Sequence, residues 1–435
     1  MLSTINVCVF MAFCLHLQEI YFQQIHYSYM LDIAIIGGGA AGFFAAITAK
    51  RRLPEARVTV FERAKKVLAK VEVSGGGRCN LTNSFADVTD LKQVYPRGFR
   101  LMKRLFKTFD YVSTYQWFED NGVALTTQED QCVFPRSQDS HSVTDCLTAQ
   151  ARQLGVEIRI QHTLTALKKL GNGDFELHFK EQQPLVFNRI AITTGGSPRL
   201  SSVQYLADMG HEIAMPVPSL FTFNVTDKAL RNLMGTVVEH AAVSIPSTKM
   251  RTAGELLITH WGMSGPAILK LSSYAARIIS ERGYRFPLSV NWIGRYNMNE
   301  IEEYLQETAV RNAQKQLSSI RPFGIPSRLW LHLLARTAIA SDKRWGELGK
   351  KDNHRLMEAL TNDVYEVTGK GSSRDEFVTC GGISLSNIDM NTLESKHCAH
   401  LFFAGEILDI DGITGGFNLQ AAWTTGYVVG QNIVV

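Results

Sequence analysis

The sequence predicts an α/β protein with a strand-rich middle that carries a helical insert. Three observations lead there. From Leu31 an apolar strand (residues 33–36) runs into a glycine turn, an Ala-rich helix (40–51) and a second strand, "RVTVFE", which together make a β-α-β unit. Past Pro216 and Pro218 the stretches "SLFTFNV", "TVVEHAAVSI", "ELLITH" and "FPLSVNW" alternate with turn residues, the texture of a small barrel or sandwich. From Asn297 to about Leu360, apolar residues such as Ile301, Tyr304 and Leu305 recur at helical spacing among charges.

The remaining elements follow in order. A helix ending near Leu154 meets "GVEIRI". The runs "HTLTALKKL", "DFELHFK" and "LVFNRIAIT", with an Asn172-Gly173 hairpin signal, predict an antiparallel excursion from a parallel sheet. Strand character returns at "EFVTC". The chain ends in a strand, "HLFFAGE", then a glycine-rich turn and a helix.

Composition narrows the class. The chain has 435 residues, enough for two or three domains, and 45% hydrophobic content, as in ordinary globular proteins. Forty-five basic against 41 acidic side chains exclude a globally polyanion-binding protein, though not a local patch. Seven scattered cysteines, odd in number and without C-x-x-C, point to a reducing cytoplasm and to neither a disulfide framework nor a metal site. Residues 1–29 contain a short apolar run but no Lys or Arg, so they match neither a signal peptide nor a membrane span. They read as an unpacked extension or a mis-assigned start ahead of Met30.

Four glycine clusters carry the chemistry. Gly37-x-Gly39-x-x-Gly42 follows a strand and opens a helix. Its glycines permit the tight turn, the approach of a pyrophosphate and the packing of helix on sheet, with Ala40 and Ala41 supplying helix N–H donors. Glu62, twenty residues after Gly42, ends the second strand, where a carboxylate can accept hydrogen bonds from an adenosine ribose. This fingerprint does not separate NAD from FAD.

The second cluster, "SGGGRCNLTN" (74–83), places Gly76 and Gly77 in a loop that faces a cofactor, with Arg78 as a fixed cation and Asn80 as a polar contact. Cys79 adjoins them, and a structural thiol is its expected role. The third, "RIAITTGGSP", ends a strand in Thr194, Gly195 and Gly196. The fourth, "HLFFAGEILDIDGITGGFNLQAAW", sets Glu406 after Gly405 and leads through Gly415 and Gly416 into a helix. The N–H groups of Phe417, Asn418 and Leu419 would point at a flavin N1/C2 edge, where a helix dipole stabilises negative charge. Seventeen of the 34 glycines fall in five short segments, so an average frequency conceals a concentrated use.

In that order, "IIGGGAAG", "SGGGRCNLTN", "VFPRS", "GELLITHWGMSGPAIL", "TCGGISL", "TLESK" and "LFFAGEILDIDGITGGFNLQAAW" resemble the BaiN-like, or aminoacetone-oxidase-type, NAD(P)/FAD-dependent oxidoreductases, from about Leu31 to Val434. The resemblance implies a Rossmann-like FAD domain of the two-dinucleotide type, built from both chain ends and interrupted by a β-barrel with a helical insert. The corresponding boundaries are 30–215 and 381–435 for the FAD domain, 216–295 and 362–380 for the barrel, and 296–361 for the insert. It also implies FAD contacts at Gly39, Ala40, Glu62, Arg78, Leu164 on the adenine side, Gly195, Glu406, Gly416 and Asn418. A "GSTGDG"-like stretch common after the "TGG" strand is absent from "TTGGSPRLSSVQYLADMGHEI".

The expected activity is that of an FAD-dependent oxidoreductase, moving hydride between a small organic substrate and flavin N5. The resemblance suggests NAD(P)H as electron partner; with no second Gly-x-Gly-x-x-Gly after a strand it would have to dock transiently over the flavin, and oxygen or another partner stays open as the acceptor. His260, in "THWGMSGP", is the leading acid–base candidate, beside a structural role of equal weight. Trp261 would cover the isoalloxazine or pack. No nucleic-acid or membrane partner is expected, and the oligomeric state is not legible. Two alternatives stand: an FAD-dependent RNA-modifying enzyme, and a protein in which FAD is structural.

Overall fold

The computed structural model describes residues 31–197, 200–371 and 378–435. The N-terminal extension expected at 1–29 lies outside them.

A five-stranded parallel sheet forms the first body, in the order Leu401–Phe403, Arg189–Ile192, Asp32–Ile36, Arg57–Phe61, Glu157–Arg159. Its central strand is apolar because both faces are covered, and Ile33, Ala34 and Ile35 are wholly buried. The helix Ala40–Arg52 follows the central strand and packs along the C-terminal helix Phe417–Asn432. Gly426 and Gly430, one turn apart, let the two backbones approach. A Cβ on either would strike the Ala41 or Ala45 carbonyl. These two glycines of the C-terminal cluster therefore serve packing. Leu164–Lys169, Phe175–Phe179 and Leu185–Phe187 form a separate antiparallel sheet, the excursion before the strand Arg189–Ile192.

The second body is a closed six-stranded antiparallel barrel ordered Phe223–Val225, Gly262–Ser264, Arg251–Ile258, Val237–Ser244, Phe286–Asn291, Asp363–Lys370. Helices Met298–Arg311, Ser327–Thr337 and Lys350–Thr361 are inserted before its last strand. Trp292, Trp330 and Trp345 anchor a core distinct from that of the sheet body. The crossing between bodies is a two-stranded ribbon, Ile213–Ser219 against Val378–Ile383, bulged between Ala214 and Val217. Pro216 and Pro218 are tolerated because this ribbon has edges on both sides. The predicted class, a Rossmann-like sheet with an inserted barrel and helices, is the observed one. No helix among the described residues is long and apolar enough to cross a membrane.

Candidate active site

The groove starts where the central strand stops. The Gly37 N–H donates to the Phe61 carbonyl (2.8 Å), and at φ +119° Gly37 turns the chain sharply enough to begin a helix. The Thr193 hydroxyl donates to the carbonyls of Ile36 (3.1 Å) and Gly37 (2.9 Å), tying the turn to the neighbouring strand. Gly39, the N-cap, has no side-chain cap, and the first turn carries no acid. A Cβ on Gly39 would meet nothing within 4 Å. The first N–H groups of the helix, on half-buried Ala40 and buried Ala41, thus begin at open space, and the helix dipole favours an anion there.

Glu62 directly follows the second strand. Its carboxylate accepts from the N–H groups of Gly38 (2.9 Å) and Ala64 (2.8 Å), which hold it at the mouth of the turn. Its own N–H donates to the Arg159 carbonyl, and its carbonyl accepts from the His162 N–H. Leu164, two residues on from His162, opens the next strand on this same edge and is half-buried.

Gly75, Gly76 and Gly77 all take positive φ (58°, 69°, 85°), closing the helix Ala69–Gly77 in a left-handed turn that side chains resist. Cβ atoms on Gly76 or Gly77 would meet open space. Arg78 latches the turn: its guanidinium lies 4.4 Å over the Phe134 ring and donates to Gly75 O (3.3 Å) and Gln138 Oε1 (3.2 Å). Cys79 faces inward with no exposure, and burial pushes its thiol up to about 12, so the side chain is inert. Asn80 leaves its buried Oδ1 without a partner, 2.8 Å from where a Gly416 Cβ would stand.

Gly195, Gly196, Glu406 and Thr379 converge on the far side. Glu406 accepts from the Thr379 N–H (2.7 Å) and from Lys70 Nζ (2.9 Å). A Gly195 Cβ would sit 3.7 Å from the same carboxylate. Thr194 is exposed beside them, and the Gly405 N–H donates to Thr425 Oγ1 (2.8 Å). The helix Phe417–Asn432 then opens at Gly416 (φ +87°), again uncapped by any side chain and without an acid in its first turn. Asn418 spends its amide on its own loop, accepting from Gly412 N–H (2.8 Å) and donating to Gly412 O (2.9 Å). Phe417 is buried and its carbonyl accepts from Tyr95 OH (2.9 Å), while Leu419 packs on the core. Asn83 Nδ2 donates to Gly415 O (3.1 Å), joining this loop to the second glycine cluster.

The four clusters thus meet at the ends of the parallel strands; for His260 the structure gives only its immediate surroundings. It is exposed in the turn after Arg251–Ile258, edge-on to Trp261 with ring centroids 4.3 Å apart. Neither side chain makes a recorded hydrogen bond or ring contact with the groove segments among the described residues. Conversely, Lys70, Tyr95 and Thr379 help build the site and went unnoticed in the sequence, whereas Asn83 closes the "SGGGRCNLTN" segment read there as a polar contact. Only "TCGGISL", quoted for the resemblance, held a signal, for Thr379. Open faces at Gly39, Gly76 and Gly77, two bare helix N-termini and the unpartnered Asn80 Oδ1 fit an extended cofactor with a diphosphate and a polar ring edge.

Several known proteins are similar to this chain. A 3-dehydro-bile acid delta(4,6)-reductase of Clostridium scindens is 28% identical over 414 residues, covering 92% of this chain and 98% of its own. A ribosomal RNA dihydrouridine synthase of Haemophilus influenzae is 27% identical, covering 92% and 97%. Among solved structures, 3-ketosteroid-delta4-(5alpha)-dehydrogenase from Rhodococcus jostii matches with a TM-score of 0.48 at 14% identity, over 93% of this chain and 97% of its own. The family model described as HI0933-like protein Rossmann domain matches residues 31–432, nearly everything described here. The chain belongs to that HI0933-like family of the FAD-dependent oxidoreductases.

Proposed function

We propose that the protein reduces a carbon–carbon double bond conjugated to a carbonyl, using FAD in the groove and NAD(P)H as the electron source. The cofactor site rests on one observation: bare backbone at Gly39, Gly76 and Gly77 lines a groove with an uncapped helix N-terminus at each end. FAD, when bound, supplies hydride chemistry at its N5.

The chain's own groups take the other roles. The N–H groups at Gly39, Ala40 and Ala41 hold the diphosphate, and Glu62, with Leu164 nearby, holds the adenosine end. Gly195, Gly196, Gly405 and Glu406 flank the ribityl chain. Gly415, Gly416 and the first N–H groups of the last helix stabilise negative charge at the pyrimidine edge.

The substrate class draws on the names of the two relatives. Delta(4,6) unsaturation beside a 3-oxo group and the uridine 5,6 double bond are both alkenes conjugated to a carbonyl. One hydride plus one proton saturates one such double bond, so the uridine bond takes one reduction and the delta(4,6) pair takes two. The free cysteines among the described residues suit a reducing cytoplasm.

The test is spectroscopic. Gently purified protein should be yellow with bound FAD, bleach anaerobically with NADH or NADPH, and recover its colour on adding an unsaturated ketone or a uridine-containing RNA. Absence of flavin, or bleaching with no acceptor able to restore the colour, would overturn the proposal.

A further inference from the structure

Charge is balanced over the whole chain but separated along it. Residues 91–109 hold six basic side chains and no acid, and residues 296–310 hold four acids and no base. Arg100, Lys103, Arg104 and Lys107 stand at i, i+3, i+4 and i+7, on the helix Phe99–Leu105 and the turn that follows it. Glu300, Glu303, Tyr304 and Glu307 repeat that spacing on the helix Met298–Arg311. The spacing sets each group on one stripe of its helix, and all eight side chains are exposed. The opposite sides are buried: Leu101, Met102 and Leu105 in the sheet body, Ile301 and Leu305 in the insert.

Neither stripe is neutralised within its own chain. Among the described residues Arg100, Lys103, Arg104 and Lys107 form no ion pair, nor do Glu300 and Glu303, and Glu307 pairs with Arg311 one turn on. Like charges three and four positions apart destabilise a helix, so each stripe gains from a partner of opposite sign. Both faces also carry aromatic surface. The Phe99 ring has Lys92 and Arg100 at 5.0 and 5.7 Å from its centroid. Tyr304 stacks on Phe323 at 4.1 Å, and Arg295 lies over the other ring of that pair at 5.2 Å. Tyr296, Met298 and Val310 leave further apolar surface exposed beside the acids. Exposed aromatic groups among charges of one sign, matched by the reverse elsewhere, are what a protein–protein contact uses.

We infer that a second copy of this chain docks here, the acidic stripe of each copy on the basic stripe of the other. The shared spacing singles out this occupant: both stripes run about 10 Å along their helices, so three carboxylates and one ring meet four cations. Every molecule carries both faces, and two such contacts made reciprocally close a two-fold dimer. Exposed ion pairs contribute little each, so the association is salt-sensitive and leans on the aromatic groups beside them. The basic helix packs against Phe417–Asn432, which puts the partner's insert beside the helix that opens at Gly416. The inference goes beyond the reductase reading and does not depend on it.

The test is sedimentation velocity on the full chain as purified, with far-UV circular dichroism to verify the fold of each variant. Wild type should form a species of twice the monomer mass. Its dissociation constant should rise about tenfold between about 50 and about 300 mM salt, as the Debye length shortens. R100E/K103E/K107E and E300K/E303K/E307K should each be monomeric at the lower salt. Their equimolar mixture should restore the dimer, because the two reversed stripes then face each other and so do the two untouched ones. The chain carrying all six changes should dimerise by itself. K350E/K351E, elsewhere on the insert, should behave as wild type. A wild type that stays monomeric at the lower salt would overturn the inference. So would a dimer that persists in either reversed variant, or a mixture of two folded variants that stays monomeric.

Discussion

Arg97 and Asp411 lie 314 positions apart in sequence, yet their side chains form a bidentate ion pair in which the carboxylate is wholly buried. The Ser219 hydroxyl donates to the same carboxylate (3.0 Å), and Arg97 also donates to the Ser273 carbonyl (2.9 Å). Four segments from both bodies meet at this pair, one of them the loop that ends at Gly416. Burial pushes the Asp411 carboxyl above its ordinary value, with Arg97 and Ser219 opposing. Beside it, Arg277 pairs with Asp409 (2.9 Å) across the same seam.

Removing one partner of such a pair leaves the other charged and dry. Arg97→Ala should cost about 3–5 kcal/mol, read from urea unfolding. It should also speed loss of FAD on gel filtration, because Asp411 would no longer hold the loop. Asp411→Asn, which can still accept a hydrogen bond, should cost less. A variant with wild-type stability would show that the pair does not organise the seam.

Two glycines of one motif should behave in opposite ways. Gly39 has φ −94°, open to any residue, and its Cβ would enter empty space. Gly39→Ala should keep apo stability within about 0.5 kcal/mol. It should weaken FAD about tenfold or more by filling the space of the phosphates, a loss near 1.4 kcal/mol. Gly42→Ala drives a methyl into the Gly37 carbonyl and should cost about 1–3 kcal/mol of stability with or without cofactor. Apo-protein melting and FAD fluorescence titration separate the two.

That contrast also marks what was legible in the sequence. The Gly37-to-Gly42 turn could be read because strand end, turn and helix start are consecutive, and each glycine answers a local constraint. The same holds for Gly75 to Gly77, all at positive φ. The Arg97–Asp411 pair could not be read, since no local spacing encodes contact between segments joined only by the folded sheet. Lys70 meeting Glu406 is hidden for the same reason, 336 residues apart. Asn418 adds a detail that the sequence does not encode: its side-chain amide closes its own loop on Gly412 and so fixes the helix start whose N–H groups the motif nominates.

Cys79 adjoins the groove but should not react there. With its thiol near 12, about one molecule in ten thousand is thiolate at pH 8. Iodoacetamide at pH 8 should modify half-buried Cys398 before Cys79, as followed by peptide mass spectrometry. Labelling of Cys79 at the rate of Cys398 in the native protein would mean that the turn after Gly77 is not packed as described.

His211 predicts a pH dependence with a definite sign. Its ring is buried; Nδ1–H donates to the Leu206 carbonyl (3.0 Å), and Nε2 accepts from the Ser395 hydroxyl (2.8 Å). That hydroxyl already accepts from the N–H groups of His397 and Cys398, so a protonated Nε2 would face an oxygen with little left to give. Burial chiefly, and His397 nearby, lower the pKa below the ordinary 6.5, against the pull of the Leu206 carbonyl. The unfolded chain then binds a proton that the folded one refuses. Stability from this residue is therefore full above about pH 6.5 and is lost as the pH falls toward the folded-state value. His332, also lowered by burial, adds to the same trend. His211→Gln keeps a donor and an acceptor but cannot titrate. It should lower Tm somewhat at pH 7.5 and shrink the fall in Tm between pH 7.5 and 5.5, leaving the part due to His332. An undiminished fall in the variant would remove His211 from the acid response.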